Sequence, residues 1–254
     1  MPLRWRYLVS PPLAGVDNMA LDAALLDRAR ATGEATLRIY SWTRPTLSLG
    51  RNQPAAAFYD RTRAAELGVD FVRRPTGGRA VLHHREATYS VTAPAAAMGT
   101  LGESYGAINR LLLDALARLG VSAREAEPVS PAPKPGIAPC FETPVAGEIV
   151  ADGRKLVGSA QWRDNGALLQ HGSILIADDQ WMASALLLHP VAPPPPPATL
   201  SELLGRAPGV ADVAEALVAA LDTGAVPLTL DDDTLAFAAR ERSHYDDDCW
   251  TWRL

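Results

Sequence analysis

Three groups of residues in this 254-residue chain have the types and spacing to do chemistry. The first is Cys140, which follows a stretch, 127–139, that holds five prolines and must be a loop. Most lone cysteines are small core residues, but a proline-rich loop is unlike a strand or helix interior. A thiol of pKa about 8.5 is only about 3% thiolate at pH 7; a nearby cation that lowered it to about 6.5 would give about 75%. Cys249, between Asp248 and Trp250, has no such setting and reads as structural.

The second group is Gly153-Arg154-Lys155-Leu156-Val157-Gly158-Ser159-Ala160-Gln161. Strand alternation places Lys155, Val157, Ser159 and Gln161 on one face. With a two-residue turn at Asn165-Gly166, Gln161 faces Gln170 and Ala160 faces His171. Gly158 and Gly172 would leave space for close approach of a ligand. The third group is Arg73-Arg74-Pro75-Thr76-Gly77-Gly78-Arg79-Ala80-Val81-Leu82-His83. Paired glycines let backbone N–H groups approach a carboxylate, phosphate or carbonyl, and the arginines add charge for an anionic group. Each pattern by itself also describes an ordinary strand connection or a solvent-facing lysine. His83, His84 and His171 lack metal-ligand spacing, and adjacent strand histidines point to opposite faces, so no metal is expected.

These residues must be held by surrounding elements. Helices are expected over 17–31, capped by Asp17, over 60–67, closed by Gly68, and from Ser104 to Gly120, with a single serine cap. Strands are expected over 36–42, 46–49, 69–73, 79–82 and 87–93. Asp152-Gly153 and Asn165-Gly166, each between apolar runs, predict a three-stranded antiparallel meander over 148–176. Five prolines, 193–197, form a stiff linker, followed by short helices over 210–221 and 231–245. The organisation is an α+β domain over 1–190 and, over 191–254, a proline linker with a short helical C-terminal segment packed on it.

With 48% hydrophobic residues and 21% charged, the chain can bury a core, which excludes wholesale disorder. The net charge of −5 argues against general nucleic-acid binding. Two cysteines make no disulfide framework and fit a reducing compartment. There is no apolar run of membrane-spanning length and no signal-peptide core, so a cytoplasmic protein with no membrane partner is expected. The cations comprise 22 arginines against only two lysines, Lys134 and Lys155. In such a background each lysine invites a functional question.

The order and spacing of the three motifs resemble the lipoate–biotin protein ligase and octanoyltransferase superfamily. Arg73 to His83 is similar to its acyl-binding strand and loop, Gly153 to Gln161 to its lysine motif, and Gln170-His-Gly-Ser-Ile-Leu175 to the strand that follows. Cys140-Phe141 ahead of the lysine motif resembles the cysteine-dependent octanoyltransferase branch. The chain departs from that pattern at His83-His84, where His-Asp is common, and at Pro144-Val-Ala-Gly147.

The resemblance implies an α+β fold with a mixed, mostly antiparallel sheet flanked by helices. It implies Cys140 as acyl-thioester nucleophile and Lys155 as the cation beside it. It implies a substrate pocket of Arg74, Thr76, Gly77, Gly78, Ala80, His83, Gly158, Ser159, Ala160, His171 and Gly172. The implied reaction moves octanoyl from octanoyl-acyl carrier protein to a lysine of an apo lipoyl domain or glycine-cleavage H protein. It needs no cofactor, and nothing demands more than a monomer. The alternative is a lipoate–protein ligase working through lipoyl-AMP with ATP and Mg²⁺. A non-catalytic binder of the same carriers is a third reading.

Overall fold

The computed structural model describes residues 3–127, 147–189, 191–221 and 224–254. In chain order the elements are β1 (Trp5–Val9), α1 (Gly15–Thr32), β2 (Ala35–Tyr40), β3 (Thr46–Leu49), α2 (Arg61–Leu67), β4 (Asp70–Arg73), β5 (Val81–His83), β6 (Glu86–Pro94) and α3 (Leu101–Arg118). There follow β7 (Arg124–Glu125), β8 (Ile149–Ala151), β9 (Arg154–Asp164), β10 (Ala167–Leu175), α4 (Trp181–Ala185), α5 (Leu200–Leu204), α6 (Val210–Ala220), β11 (Val226–Pro227), α7 (Asp232–Tyr245) and α8 (Asp248–Thr251).

Eight strands form one sheet in the order β11-β1-β2-β6-β10-β9-β8-β7, parallel at β11-β1-β2 and antiparallel beyond. A second sheet, β4-β3-β5, is mixed. The architecture is α+β, with helices against both faces of the large sheet.

The hairpin turns follow from local chemistry. Asp152 and Gly153 (φ 48° and 74°), like Asn165 and Gly166 (φ 44° and 82°), all adopt positive φ, as type I′ turns require. The second turn sets the register, so Gln161 faces Gln170 and Ala160 faces His171.

Strand β6 is buried throughout, yet its chemistry alternates. Ala87, Tyr89, Val91 and Ala93 join Leu37, Ile39 and Leu168 in the main core, covered by Ile108, Leu112 and Leu116 of α3 and Val213 and Leu217 of α6. Glu86, Thr88, Ser90 and Thr92 lie on the other face, where Ser90 donates to Asp22 of α1.

Two helix starts differ from the sequence expectation. The third helix begins at Leu101, not Ser104: Thr100 and Glu103 form a capping box, which outweighs the cost of Gly102 inside the first turn. The first begins at Gly15 with Ala14 at its cap; Asp17 lies within the first turn and accepts from Arg242 Nε at 2.8 Å. The closing residues belong to the body of the fold. Arg73 donates to the carbonyls of Trp250 and Thr251, and Trp250 Nε1 donates back to the Arg73 carbonyl at 2.9 Å.

Candidate active site

A cavity of about 200 Å³ opens between the α1-side face of the large sheet and the small sheet. Met19, Trp42 and Val81 give it apolar walls. Of the residues singled out in the sequence, Arg74, Gly78, His83, Gly158, Ser159, Ala160, His171 and Gly172 line it. Thr76 stands behind the wall, fully buried, within 2.7 Å of His171 Nε2. Gly77 lines an adjoining groove that shares Gly78, Ser159 and Ala160 with the cavity. Ala80 is absent from both linings and packs with Leu47, Leu49 and Leu82 in the core of the small sheet. Cys140 lies outside the described residues. Cys249 is exposed rather than structural, and its thiol is pushed up by the charge of Asp247.

The glycine-rich loop is built from within. All five N–H groups of Arg74 are engaged: with the carbonyl and hydroxyl of Ser48, twice with the Gly77 carbonyl, and with the Arg79 carbonyl. Its hydrogen bonds shape the loop instead of waiting for an anion. Gly50, which sequence reasoning missed, is required here: a Cβ there would lie 1.9 Å from the Gly78 oxygen. Gly172 serves packing more than ligand space, since a Cβ on it would meet Gly158 O at 2.5 Å and the Tyr89 ring at 2.7 Å.

Lys155 does not share a face with Val157, Ser159 and Gln161. Opposed residues share a face, and the register shifts so that Ile149 faces Val157 while Val150 faces Lys155. Leu156 is thus an extra residue, a β-bulge. Leu156 and Val157 both enter the main core, and Lys155 turns to the cavity face. There it is 2% exposed, and its Nζ donates to Glu148 Oε1 at 2.5 Å. Glu148 lines the cavity. Nothing in simple strand alternation signals this partner.

Two hydroxyl–histidine–carboxylate chains run beneath the cavity. Asp22 is fully buried and receives Arg38 Nη1 (2.8 Å), Tyr40 OH (2.9 Å) and Ser90 Oγ (2.8 Å), with His171 Nδ1 at 3.3 Å. Burial opposes its charge, but Arg38, His171 and Ser90 together hold its carboxyl below the usual range. Burial pushes His171 below its ordinary value, outweighing Asp22. A neutral ring beside a carboxylate must donate from Nδ1, so Nε2 accepts from the Thr76 hydroxyl. In the second chain Ser48 Oγ accepts from Arg74 and lies 2.9 Å from His83 Nε2. His83 Nδ1 faces Glu86 at 3.4 Å, and the ring stacks on Trp42 with centroids 4.1 Å apart. Asp22, Arg38, Glu86 and Ser48 carried no motif in the sequence; charged residues on a helix or strand ordinarily face water.

This arrangement offers a buried lysine paired with Glu148, two hydroxyl–histidine–carboxylate chains and an apolar slot, the equipment for holding an acyl chain with its carbonyl near a cation. The family described as the lipoyl protein ligase A/B catalytic domain matches residues 15–222. The chain belongs to this family. Curated relatives named octanoyltransferase LipM include those of Brevibacillus brevis, 34% identical over 98% of this chain and 99% of its own, and Kyrpidia tusciae, 43% identical over 73% and 71%. A third, from Carboxydothermus hydrogenoformans, is 45% identical over 69% of this chain and 66% of its own. Among solved structures, a lipoate-protein ligase A bound with ATP superposes with a TM-score of 0.80 at 22% identity, covering 99% of each chain. A bi-partite lipoate protein ligase described with its E2 lipoyl domain, from Thermoplasma acidophilum, superposes with a TM-score of 0.78 at 20% identity, over 98% and 96%. These structures share the fold of this lipoyl ligase A/B family member.

Proposed function

We propose that this protein transfers an octanoyl group from octanoyl-acyl carrier protein to a lysine of an apo lipoyl domain or glycine-cleavage H protein, through a thioester on Cys140. The reading is supported most by Lys155: a cation turned by a bulge onto the cavity face, in a family whose near-full-length relatives carry the name octanoyltransferase. Both ends of the segment bearing Cys140 are anchored at the site. Ala126 donates to the Glu148 carbonyl at 2.7 Å, and Glu125 and Gly147 line the groove beside the cavity. Cys140 lies seven positions before Gly147, a reach of at most about 25 Å.

In the first step the Cys140 thiolate attacks the donor thioester. A new C–S bond forms, the carrier's sulfur leaves, and that sulfur takes up the proton that Cys140 had lost. In the second step the acceptor amine attacks, a C–N bond forms, and the enzyme's C–S bond breaks. The proton from nitrogen returns to Cys140. Thioester to amide is downhill, so no ATP is consumed. Lys155 stabilises the thiolate and then the negative oxygen of each tetrahedral intermediate. Acyl carrier protein as donor and a free thiol as nucleophile fit a reaction in the cytoplasm. Among the described residues no helix is long and apolar enough to cross a membrane.

The test is intact-protein mass spectrometry after mixing with octanoyl-acyl carrier protein without ATP. A hydroxylamine-sensitive octanoyl adduct is expected, absent in Cys140→Ser, that chases onto an apo lipoyl-domain lysine. No adduct, but acceptor modification with lipoate, ATP and Mg²⁺, would replace this reading with the ligase. Silence in both assays would leave a carrier-binding protein.

A further inference from the structure

Arg51, Arg73 and Arg253 form a cluster at the rim of the cavity that the transfer reaction leaves unexplained. The Arg51 carbonyl accepts from both Arg73 Nη1 (3.2 Å) and Arg253 Nη2 (2.5 Å), so the two guanidinium groups converge on one oxygen. The Arg51 guanidinium lies 5.0 Å from the Trp162 ring centre and 5.8 Å from that of Trp250; that of Arg253 lies 4.1 Å over Trp250. Eleven other arginines each meet a carboxylate, as Arg61 meets Asp248 at 2.8 Å. Among the described residues no carboxylate is paired with these three. Arg73 Nη2 is buried with no hydrogen-bond partner. Burial, then the charges of Arg253 and Arg74, pull Arg73 down to about 10, and burial with Arg51 lowers Arg253. Three like charges held together cost stability, in a chain whose net charge is −5.

The cluster sits where a substrate carrier must approach. The Arg51 amide donates to the Thr76 carbonyl at 2.8 Å, inside the glycine-rich loop. Trp162 is two residues along β9 from Ala160, on the same face, and Ala160 lines the cavity. That offset is about 7 Å. Arg253 is exposed and Arg51 half-buried, and both guanidinium groups lie over indole rings. An acyl group delivered on a protein-borne arm leaves the protein itself outside the cavity, against this rim. Resting on the transfer reading above, we propose that Arg51 and Arg253, backed by Arg73, form the docking surface for an acidic face of the carrier protein that delivers the acyl group.

The test compares wild type with Arg51→Glu/Arg253→Glu, using acyl carrier protein, octanoyl-pantetheine and octanoyl-phosphopantetheine as probes. The Kd for acyl carrier protein, read by titration calorimetry, needs no turnover. It is expected to rise about 10- to 100-fold at low salt, and the difference to shrink as ionic strength passes about 0.15 M. The loss in kcat/KM with the octanoylated carrier is expected to exceed the loss with octanoyl-pantetheine by at least about tenfold. Arg51→Lys/Arg253→Lys is expected to restore carrier binding, which a stacking-only role would not allow. An unchanged Kd overturns the proposal, as does an equal loss with octanoyl-pantetheine. A loss that appears once the arm carries its phosphate assigns the cluster to that phosphate and overturns the protein-face reading. Wild type that binds the carrier but transfers octanoyl neither from it nor from the small thioesters contradicts the transfer reading and leaves the docking measurement standing.

Discussion

The two faces of the large sheet are equally buried and chemically opposite. Toward α3 and α6, Leu37, Ile39, Val91 and Leu168 pack apolar carbon on apolar carbon. Toward α1, the residues interleaved with them are Arg38, Tyr40, Thr88, Ser90 and His171, each less than 7% exposed. The first face is held by area removed from water, roughly 1.5–3 kcal/mol for each fully buried large side chain. The second is held by hydrogen bonds and ion pairs, and a broken one leaves a charge or donor stranded. The candidate site lies on the second face, where fixed dipoles are available to a reaction. The first face supplies the rigidity that keeps them fixed.

Lys155→Met should have the largest effect on activity. Octanoyl transfer is expected to fall about 100- to 1,000-fold in kcat/KM, with a smaller change in the Kd for carrier. A loss under tenfold would remove Lys155 from the chemistry. Asp22→Ala and Leu112→Ala make the paired comparison between the faces. Both should lower unfolding free energy in urea by about 3–5 kcal/mol, the first by stranding Arg38 and the second by opening a cavity. Activity per folded molecule should fall with Asp22→Ala and stay with Leu112→Ala; equal behaviour would erase the distinction.

The faces should also separate by pH. His171 has a folded pKa below its unfolded value, so between the two values the unfolded chain binds the extra proton. Stability is therefore full above about pH 6.5 and declines as pH falls below it, until His171 is protonated in the fold. Asp22 contributes the same sign at lower pH: its stabilisation is present above about pH 4 and is lost as pH falls through its depressed value. His171→Gln should flatten the limb just below pH 6.5, measured as Tm against pH, and weaken the lower limb without abolishing it, since Arg38 and Ser90 still depress Asp22. The smallest effect is expected from Ser90→Ala, which removes one of several bonds to Asp22 and should cost about 1.5–3 kcal/mol or less.

How much of this was legible varies with the physics behind each element. Turns write themselves locally: Asp152-Gly153 and Asn165-Gly166 carried the meander and its register because positive φ narrows residue choice. The glycine-rich loop and the residues 158–160 and 171–172 at the cavity were legible from the motifs and the family resemblance together. The roles of Arg73 and Arg74 were not, because an arginine that hydrogen-bonds to backbone looks in sequence like one waiting for an anion. Asp22 and Arg38 were invisible for a related reason. Their pairing spans 16 positions, and no local pattern records a buried ion pair between a helix and a strand. The start of α3 was written in Thr100 and Glu103, but Gly102 obscured it.

The bulge at Leu156 makes the parity of β9 part of its meaning. Counted from the Asn165-Gly166 turn, even and odd positions keep their faces as far as Val157 and exchange them beyond it. Deleting Leu156 would return β9 to strict alternation with the pairing of Val150 to Lys155 intact, so the Lys155 ammonium would keep the cavity face and the core under α3 would lose one aliphatic side chain. A family member with a single-residue gap at Leu156 therefore carries its lysine in the same chemical surroundings, whereas an ungapped one needs the bulge to bring it there.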